Sequence, residues 1–202
     1  MTRKRMRPHL LEMARRSGVL AAREVADAGM HTQLLSRMVC EGTLERITRG
    51  YYRLTEAPVT EHHTLAVVAK AAPRGVICLL SALSFHGIGT QLPSVVWLAL
   101  DRRVRPPALT YPPLRVVRFG GAALTEGVAT HEIEGQAVRV YCVAKTVADC
   151  FKYRNKVGLD VALEALREGW RERRFSMDDI DRFAGICRVQ RVMRPYLEAL
   201  VA

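Results

Sequence analysis

The stretch His31-Thr-Gln-Leu-Leu-Ser-Arg-Met-Val-Cys-Glu-Gly-Thr-Leu-Glu-Arg-Ile-Thr-Arg-Gly-Tyr-Tyr-Arg-Leu54 decides the fold of this chain. Its first part has helical spacing: Leu35, Met38 and Val39 share one face. Thr32, Gln33, Ser36 and Arg37 share the other. Thr32 stands where an N-cap is expected, and Gly42 closes the helix just past Glu41. The runs LERIT and YYRL then read as two short strands around the turn Arg49-Gly50. Tyr51 and Tyr52 alternate in facing, so one is expected in the core and the other near a phosphate.

Upstream of this stretch, Leu10, Leu11, Met13 and Ala14 give a first helix an apolar stripe that ends near Ser17-Gly18. Ala21 to Ala28 makes a short second helix, stopped by Gly29. Three helices followed by a hairpin is the winged helix-turn-helix plan, whose third helix fits the width of the DNA major groove. The exposed face then has a reading. Gln33 pairs with adenine, Arg37 with guanine, and Thr32 and Ser36 with base or phosphate. Arg46, Arg49 and Arg53 sit on the hairpin, placed for phosphates or the minor groove. Arg3, Lys4, Arg5 and Arg7 form a basic arm suited to the DNA backbone. The expected partner is double-stranded operator DNA.

Charge supports this division. The chain has 202 residues, with 31 Lys+Arg against 20 Asp+Glu and a net charge of +11. Residues 1–55 carry 11 basic and 5 acidic residues; residues 56–202 carry 20 and 15. So just over half the net charge lies in the first 55 residues. Arginine supplies 26 of the 31 basic residues, favouring planar contacts to phosphate or guanine, although a compositional bias toward arginine produces the same skew. No apolar run approaches the roughly 18 residues of a membrane helix, so no membrane partner is expected. The basic N-terminus lacks the apolar core of a signal peptide. The five cysteines are scattered without a CxxC pair, which supports neither a zinc ribbon nor a disulfide framework. They read as small buried hydrophobes in a reducing cytoplasm.

Thr55 to Thr60 reads as a linker, which divides the chain into residues 1–56 and 60–202. Beyond it, helices are expected at Glu61–Ala72 and Ser81–His86. Strands are expected at Val76–Leu79, Val95–Leu100, Leu114–Phe119, Val128–Ile133 and Ala137–Val143. Helices then follow at Lys145–Tyr153, Leu159–Glu172, Ser176–Ala184 and Val189–Val201. The class is α+β: a winged helix-turn-helix followed by a mixed sheet with a helical C-terminal tail.

The second part offers weak catalytic signals. Ser81, Ser84, His86, Asp101 and Asp149 contain the residue types of a hydrolase, but no GxSxG elbow occurs. His86 reads instead as a helix-terminal hydrogen-bonding residue. The adjacent His62 and His63 point about 100° apart on a helix, poor for chelation, and are expected to face solvent. Asp101, Glu132 and Glu134 lie near strand ends without the Glu-x-Lys of a metal nuclease. Gly120-Gly121 is too short to read as a phosphate loop. Asp149 reads as structural, completing a capping-box-like pair with Thr146. No catalytic residue, metal or cofactor is expected, and the chain is read as a non-enzyme. Arg188, Arg191 and Arg194 form a stripe on the last helix, and Arg171, Arg173 and Arg174 a second cluster. These suit RNA, DNA or an acidic partner, or form a solvated face balanced by Glu172, Asp178, Asp179 and Asp181.

Several segments resemble the AbiE-type abortive-infection antitoxins. Gly42 to Leu54 (GTLERITRGYYRL) resembles the family's wing. Ser81 to Ile88 (SALSFHGI) resembles its helix after the linker, and Ala144 to Phe151 (AKTVADCF) its "x-x-thr-leu-x-asp" segment. Leu159 to Leu166 and Val192 to Leu200 match in order. The resemblance implies a winged helix that represses the protein's own operon at inverted repeats. It also implies a C-terminal domain that counters a co-encoded nucleotidyltransferase-like toxin, in the best-known arrangement without stable toxin binding. This is a type IV toxin–antitoxin system. A nucleic-acid enzyme with a winged-helix targeting module, and a protein-interaction module, stand as alternatives on the residues alone.

Overall fold

A computed structural model describes the backbone of residues 3–201 and the side chains of residues 6–200. The chain divides into two compact units. The first comprises residues 1–73, 107–113 and 131–138; the second comprises residues 74–106, 114–130 and 139–202.

The first unit opens with α1 (Arg3–Ser17), β1 (Leu20–Ala21), α2 (Ala22–Asp27), α3 (Gln33–Cys40), β2 (Leu44–Thr48) and β3 (Tyr51–Leu54). A three-stranded antiparallel sheet runs in the order β1-β3-β2, so the strand before α2 closes the wing. Leu10, Ala14, Leu20, Val25, Met30, Leu35, Met38 and Leu44 form one buried cluster. The apolar faces of all three helices meet there, joined by Leu20 of β1, Met30 before α3 and Leu44 of β2. The two-residue turn Arg49-Gly50 needs a left-handed residue, and Gly50 supplies it at φ 82°. Tyr52 packs against the apolar cluster and Tyr51 is half-buried on the other face. Burial, with Glu24 nearby, raises the Tyr51 phenol above its ordinary range.

Next come α4 (His63–Ala71), β4 (Val76–Ile77), α5 (Leu79–His86), β5 (Val96–Asp101), β6 (Leu114–Phe119), α6 (Ala122–Thr125), β7 (Val128–Ile133) and β8 (Gln136–Tyr141). The tail holds α7 (Val143–Lys152), α8 (Arg154–Val157), α9 (Leu159–Arg171), α10 (Met177–Cys187) and α11 (Gln190–Val201). The five-stranded sheet runs β6-β5-β4-β8-β7. It is mixed: β4 is antiparallel to β5 and parallel to β8, while β5 and β6 are parallel. The turn Glu134-Gly135 joins β7 and β8 with both residues at positive φ, the geometry of a type I′ hairpin.

Helix α7 is the centre of the second unit. Val143 through Phe151 are all buried, and α7 packs against α5, α9 and α10. A helix buried all round must satisfy every polar group on it. Two of them, with a thiol from α10, do so together. Lys145 Nζ donates to Asp149 Oδ1 at 2.7 Å and Oδ2 at 2.6 Å. Cys187 Sγ donates to Asp149 Oδ1 at 3.1 Å. The Lys145 ammonium also lies over the rings of Tyr141 and Phe119, at 4.2 and 4.8 Å from their centroids. Burial pushes the Asp149 carboxyl above its ordinary range against the pull of Lys145, and raises the Cys187 thiol well above its own.

This arrangement corrects the capping role read for Thr146 and Asp149. Cys142 occupies the N-cap position of α7. Thr146 lies inside the helix, its hydroxyl donating to Tyr141 O at 3.2 Å. Asp149 turns to Lys145, four residues back on the same face. The capping box of the second unit is instead at α10, where the Ser176 hydroxyl accepts from Asp179 N and the Asp179 carboxylate from Ser176 N. The cysteines divide: Cys78, Cys150 and Cys187 are buried and Cys142 half-buried, but Cys40 is exposed at the end of α3.

Candidate nucleic-acid interface

Helix α3 owes its position to Leu35 and Met38, both buried in the first unit. Anchoring that face leaves Thr32, Gln33, Ser36 and Arg37 exposed together. Thr32 does not cap the helix. Its backbone is helical, at φ −63° and ψ −17°, so its hydroxyl cannot reach back to the first-turn amides. His31 takes that role: the Gln33 amide donates to its Nδ1 at 3.2 Å. The Thr32 hydroxyl is thereby left on the exposed face with the other three.

Arg37 and Gln33 line a groove of about 630 Å³ with Met6, Arg7, His31 and Leu34. Arg7 is held there by Glu41, at 2.6 Å, and by Thr43, at 3.3 Å. This ties the start of α1 to the corner between α3 and the wing. From Arg3 onward the expected arm is helical, part of α1; the side chains of Arg3, Lys4 and Arg5 lie outside the described residues. Arginine, lysine and methionine are good helix formers, and nothing before Pro8 interrupts them.

The three wing arginines differ in circumstance. Arg49 is exposed at the turn, and Arg46 is exposed with its Nε donating to Thr48 O at 3.4 Å. Arg53 is 14% exposed, its Nε 2.5 Å from Glu45 Oε1 on the facing strand and its Nη1 donating to Ala57 O at 2.9 Å. Arg46 and Arg49 are therefore the guanidiniums that the wing presents to solvent.

Several of the other polar residues singled out have structural partners. His63, expected in solvent, is half-buried with its Nδ1 2.6 Å from Glu134 Oε2. Glu134 also accepts from the amide and hydroxyl of Thr60, at 2.8 and 2.9 Å. Burial pushes this carboxyl up, but the three hydrogen bonds outweigh it and hold it below the ordinary carboxylate range. A depressed folded-state value stabilises the fold above the unfolded value, near 4.3, and that contribution fades as pH falls through the folded value. Glu134→Gln should therefore lower the urea midpoint at neutral pH, with the gap to wild type closing toward about pH 3. A gap that is independent of pH would assign the loss to geometry rather than charge. His86 Nε2 donates to Tyr141 O at 2.7 Å, as a helix-terminal hydrogen-bonding residue should. Asp101 accepts from the Arg103 amide. Among the described residues, no group of three or more His, Cys, Asp or Glu could hold a metal ion.

The C-terminal arginines do not form one stripe. Arg188 lies outside α11: it caps the end of α10 in the left-handed conformation at φ 58°. Arg191 and Arg194 are on α11, where Arg194 pairs with Glu198 at 2.8 Å. Arg171 lies near Glu168 and Glu172, at 3.9 and 4.0 Å, and Arg174 lies 3.5 Å from Glu172. Both clusters are thus partly neutralised on the surface. Arg188 instead lines a pocket of about 590 Å³ with Arg102, Arg118, Lys152, Tyr153 and the Gly120-Gly121 loop. The visible signals for this pocket were the Arg102-Arg103-Val104-Arg105 run after β5 and the paired glycines after β6.

Three helices and a two-stranded wing closed by β1, with an exposed polar face on the helix before the wing, have the winged helix-turn-helix plan. Residues 10–55 match the family described as "Transcriptional regulator, AbiEi antitoxin". That is the kind of protein the wing sequence resembles. The chain is also similar in fold to the crystal structure of the RV2827C protein from Mycobacterium tuberculosis. The identity is 14% and the TM-score 0.59, covering 89% of this chain and 71% of that one. No curated protein matches the chain. No helix among the described residues is long and apolar enough to cross a membrane.

Proposed function

We propose that this protein is a cytoplasmic transcriptional autorepressor and the antitoxin of a type IV toxin–antitoxin system. In this reading residues 1–56 bind operator DNA, and residues 60–202 counter a co-encoded nucleotidyltransferase-like toxin without catalysing a reaction. The observation that carries the proposal is the face of α3. Four polar side chains of the types that read bases and phosphates are exposed there, next to a wing with two solvent-facing arginines. The match of residues 10–55 to a regulator and antitoxin family supports the same reading.

Gel-shift titration of the full chain on DNA from its own promoter region tests the first half. Binding should be stronger than to scrambled DNA of equal length and should weaken steeply with salt. Equal binding to both DNAs, or binding indifferent to salt, would overturn it. The second half is tested by co-expression with the product of the adjacent reading frame. Growth arrest by that product should be relieved by residues 60–202 supplied within the full chain carrying Arg37→Ala. Arrest that persists with the full wild-type chain would remove the antitoxin role.

A further inference from the structure

The basic pocket of the second unit has no part in that reading. Four segments converge on it: the loop after β5 brings Arg102, and the end of β6 with its following loop brings Arg118, Phe119 and Gly120-Gly121. The ends of α7 and α10 bring Lys152, Tyr153 and Arg188. At about 590 Å³ it lies in the size range of small-ligand sites. Its charge is unbalanced. Among the described residues, none of Arg102, Arg118, Lys152 or Arg188 pairs with a carboxylate. Arg118 is fixed by donating to the backbone carbonyls of Asp101 and Val104, at 2.6 and 2.7 Å, which orient the guanidinium without neutralising it. The acid that lines the pocket, Asp149, is already held by Lys145 and Cys187.

Four cations around one small cavity repel each other and call for an anion of several charges. A single phosphate carries at most about two. Di- and triphosphates carry more, and arginine matches their geometry by paired N–H donation. The remaining wall is apolar: Phe119 and Tyr153 pack with centroids 5.6 Å apart, and Ile186 lies beside them. Such a wall suits a nucleoside rather than bare polyphosphate. Arg188 adds a separate sign. It holds a left-handed backbone where glycine or asparagine would be unstrained, and it places its side chain at the pocket.

We propose that this pocket binds the polyphosphate of a nucleoside di- or triphosphate, with Arg102, Arg118, Lys152 and Arg188 as its phosphate-binding residues. Calorimetric titration of the full chain with ATP, ADP, AMP, inorganic pyrophosphate and a short single-stranded oligonucleotide tests it. ATP and ADP should bind at least about tenfold more tightly than AMP, with pyrophosphate between them. Lys152→Gln and Arg188→Gly should each weaken ATP about tenfold or more. Arg188→Gly relieves the left-handed strain, so its thermal midpoint should equal or exceed that of the wild type, which separates lost binding from lost folding. No saturable ATP or ADP binding up to about 1 mM would overturn the proposal. So would binding that both variants leave unchanged, or tight binding of the oligonucleotide alone. DNA binding by the winged helix is read separately by gel shift, and its success or failure does not move these outcomes.

Discussion

Lys145→Met should destabilise the protein by about 3–5 kcal/mol, and Lys145→Met/Asp149→Leu by far less. Lys145 is fully buried and Asp149 is 2% exposed, on a helix buried on every side. Removing the ammonium alone leaves a carboxylate in apolar surroundings, with one thiol donor. Removing both charges leaves side chains that fill the same space, and buried ion pairs replaced in this way often lose nothing. The sign of the pH dependence is fixed by the same geometry. Burial already raises Asp149, and loss of Lys145 removes the group that opposes that rise. A carboxyl raised in the folded state is least harmful below its unfolded value, near 3.9, and harms stability increasingly as pH rises through the folded value. The deficit of Lys145→Met should therefore be large at neutral pH and shrink toward about pH 4. Urea denaturation of wild type, single and double variants across that range measures it. A double variant as unstable as the single would show that lost packing around the rings of Phe119 and Tyr141 matters, not an unpaired charge.

This pair also marks the limit of what the sequence made legible. The winged helix could be read in advance because each of its parts has a local signature: an apolar face of spacing three and four, a glycine stop, a two-residue turn before Tyr51. The mixed sheet and the four long tail helices followed from the same signals. Charges gave less. Lys145 and Asp149 stand four apart, the spacing of an ordinary surface ion pair, and only the packing of α5, α9 and α10 around α7 makes them a core feature. His63 and Glu134 lie 71 residues apart, so nothing local announces their contact. Arg188 followed the three-residue spacing of Arg191 and Arg194, but α10 ends on it and α11 begins only at Gln190. The helix break re-aims one guanidinium of an apparent stripe into a pocket. Arg53 has the opposite fate: the β2–β3 register pairs it with Glu45, which spacing along a single strand cannot show.

The same distinction between presented and committed charge predicts how the DNA-binding face divides its work. Arg37→Ala should weaken binding to the protein's own promoter DNA by about 1–3 kcal/mol and narrow the margin over scrambled DNA, because an arginine that reads a base edge carries sequence preference. Arg37 is exposed on the face opposite the buried Leu35 and Met38, so truncating it should leave the thermal midpoint unchanged. Arg49→Ala should act differently. At the tip of the wing it is placed for phosphates, so its loss should weaken all DNAs alike and reduce the slope of log affinity against log salt by about one. Arg53→Ala should lower thermal stability by opening the link to Glu45 and Ala57, with little effect on the salt slope of the folded protein. Gel-shift titrations at several salt concentrations, on promoter and scrambled DNA, read all three. If Arg37→Ala weakens both DNAs equally and lowers the slope, Arg37 is a phosphate contact, and base reading on α3 falls to Gln33 and Ser36. If Arg53→Ala lowers the slope as much as Arg49→Ala, the Glu45 pair opens on DNA and the wing presents three cations rather than two.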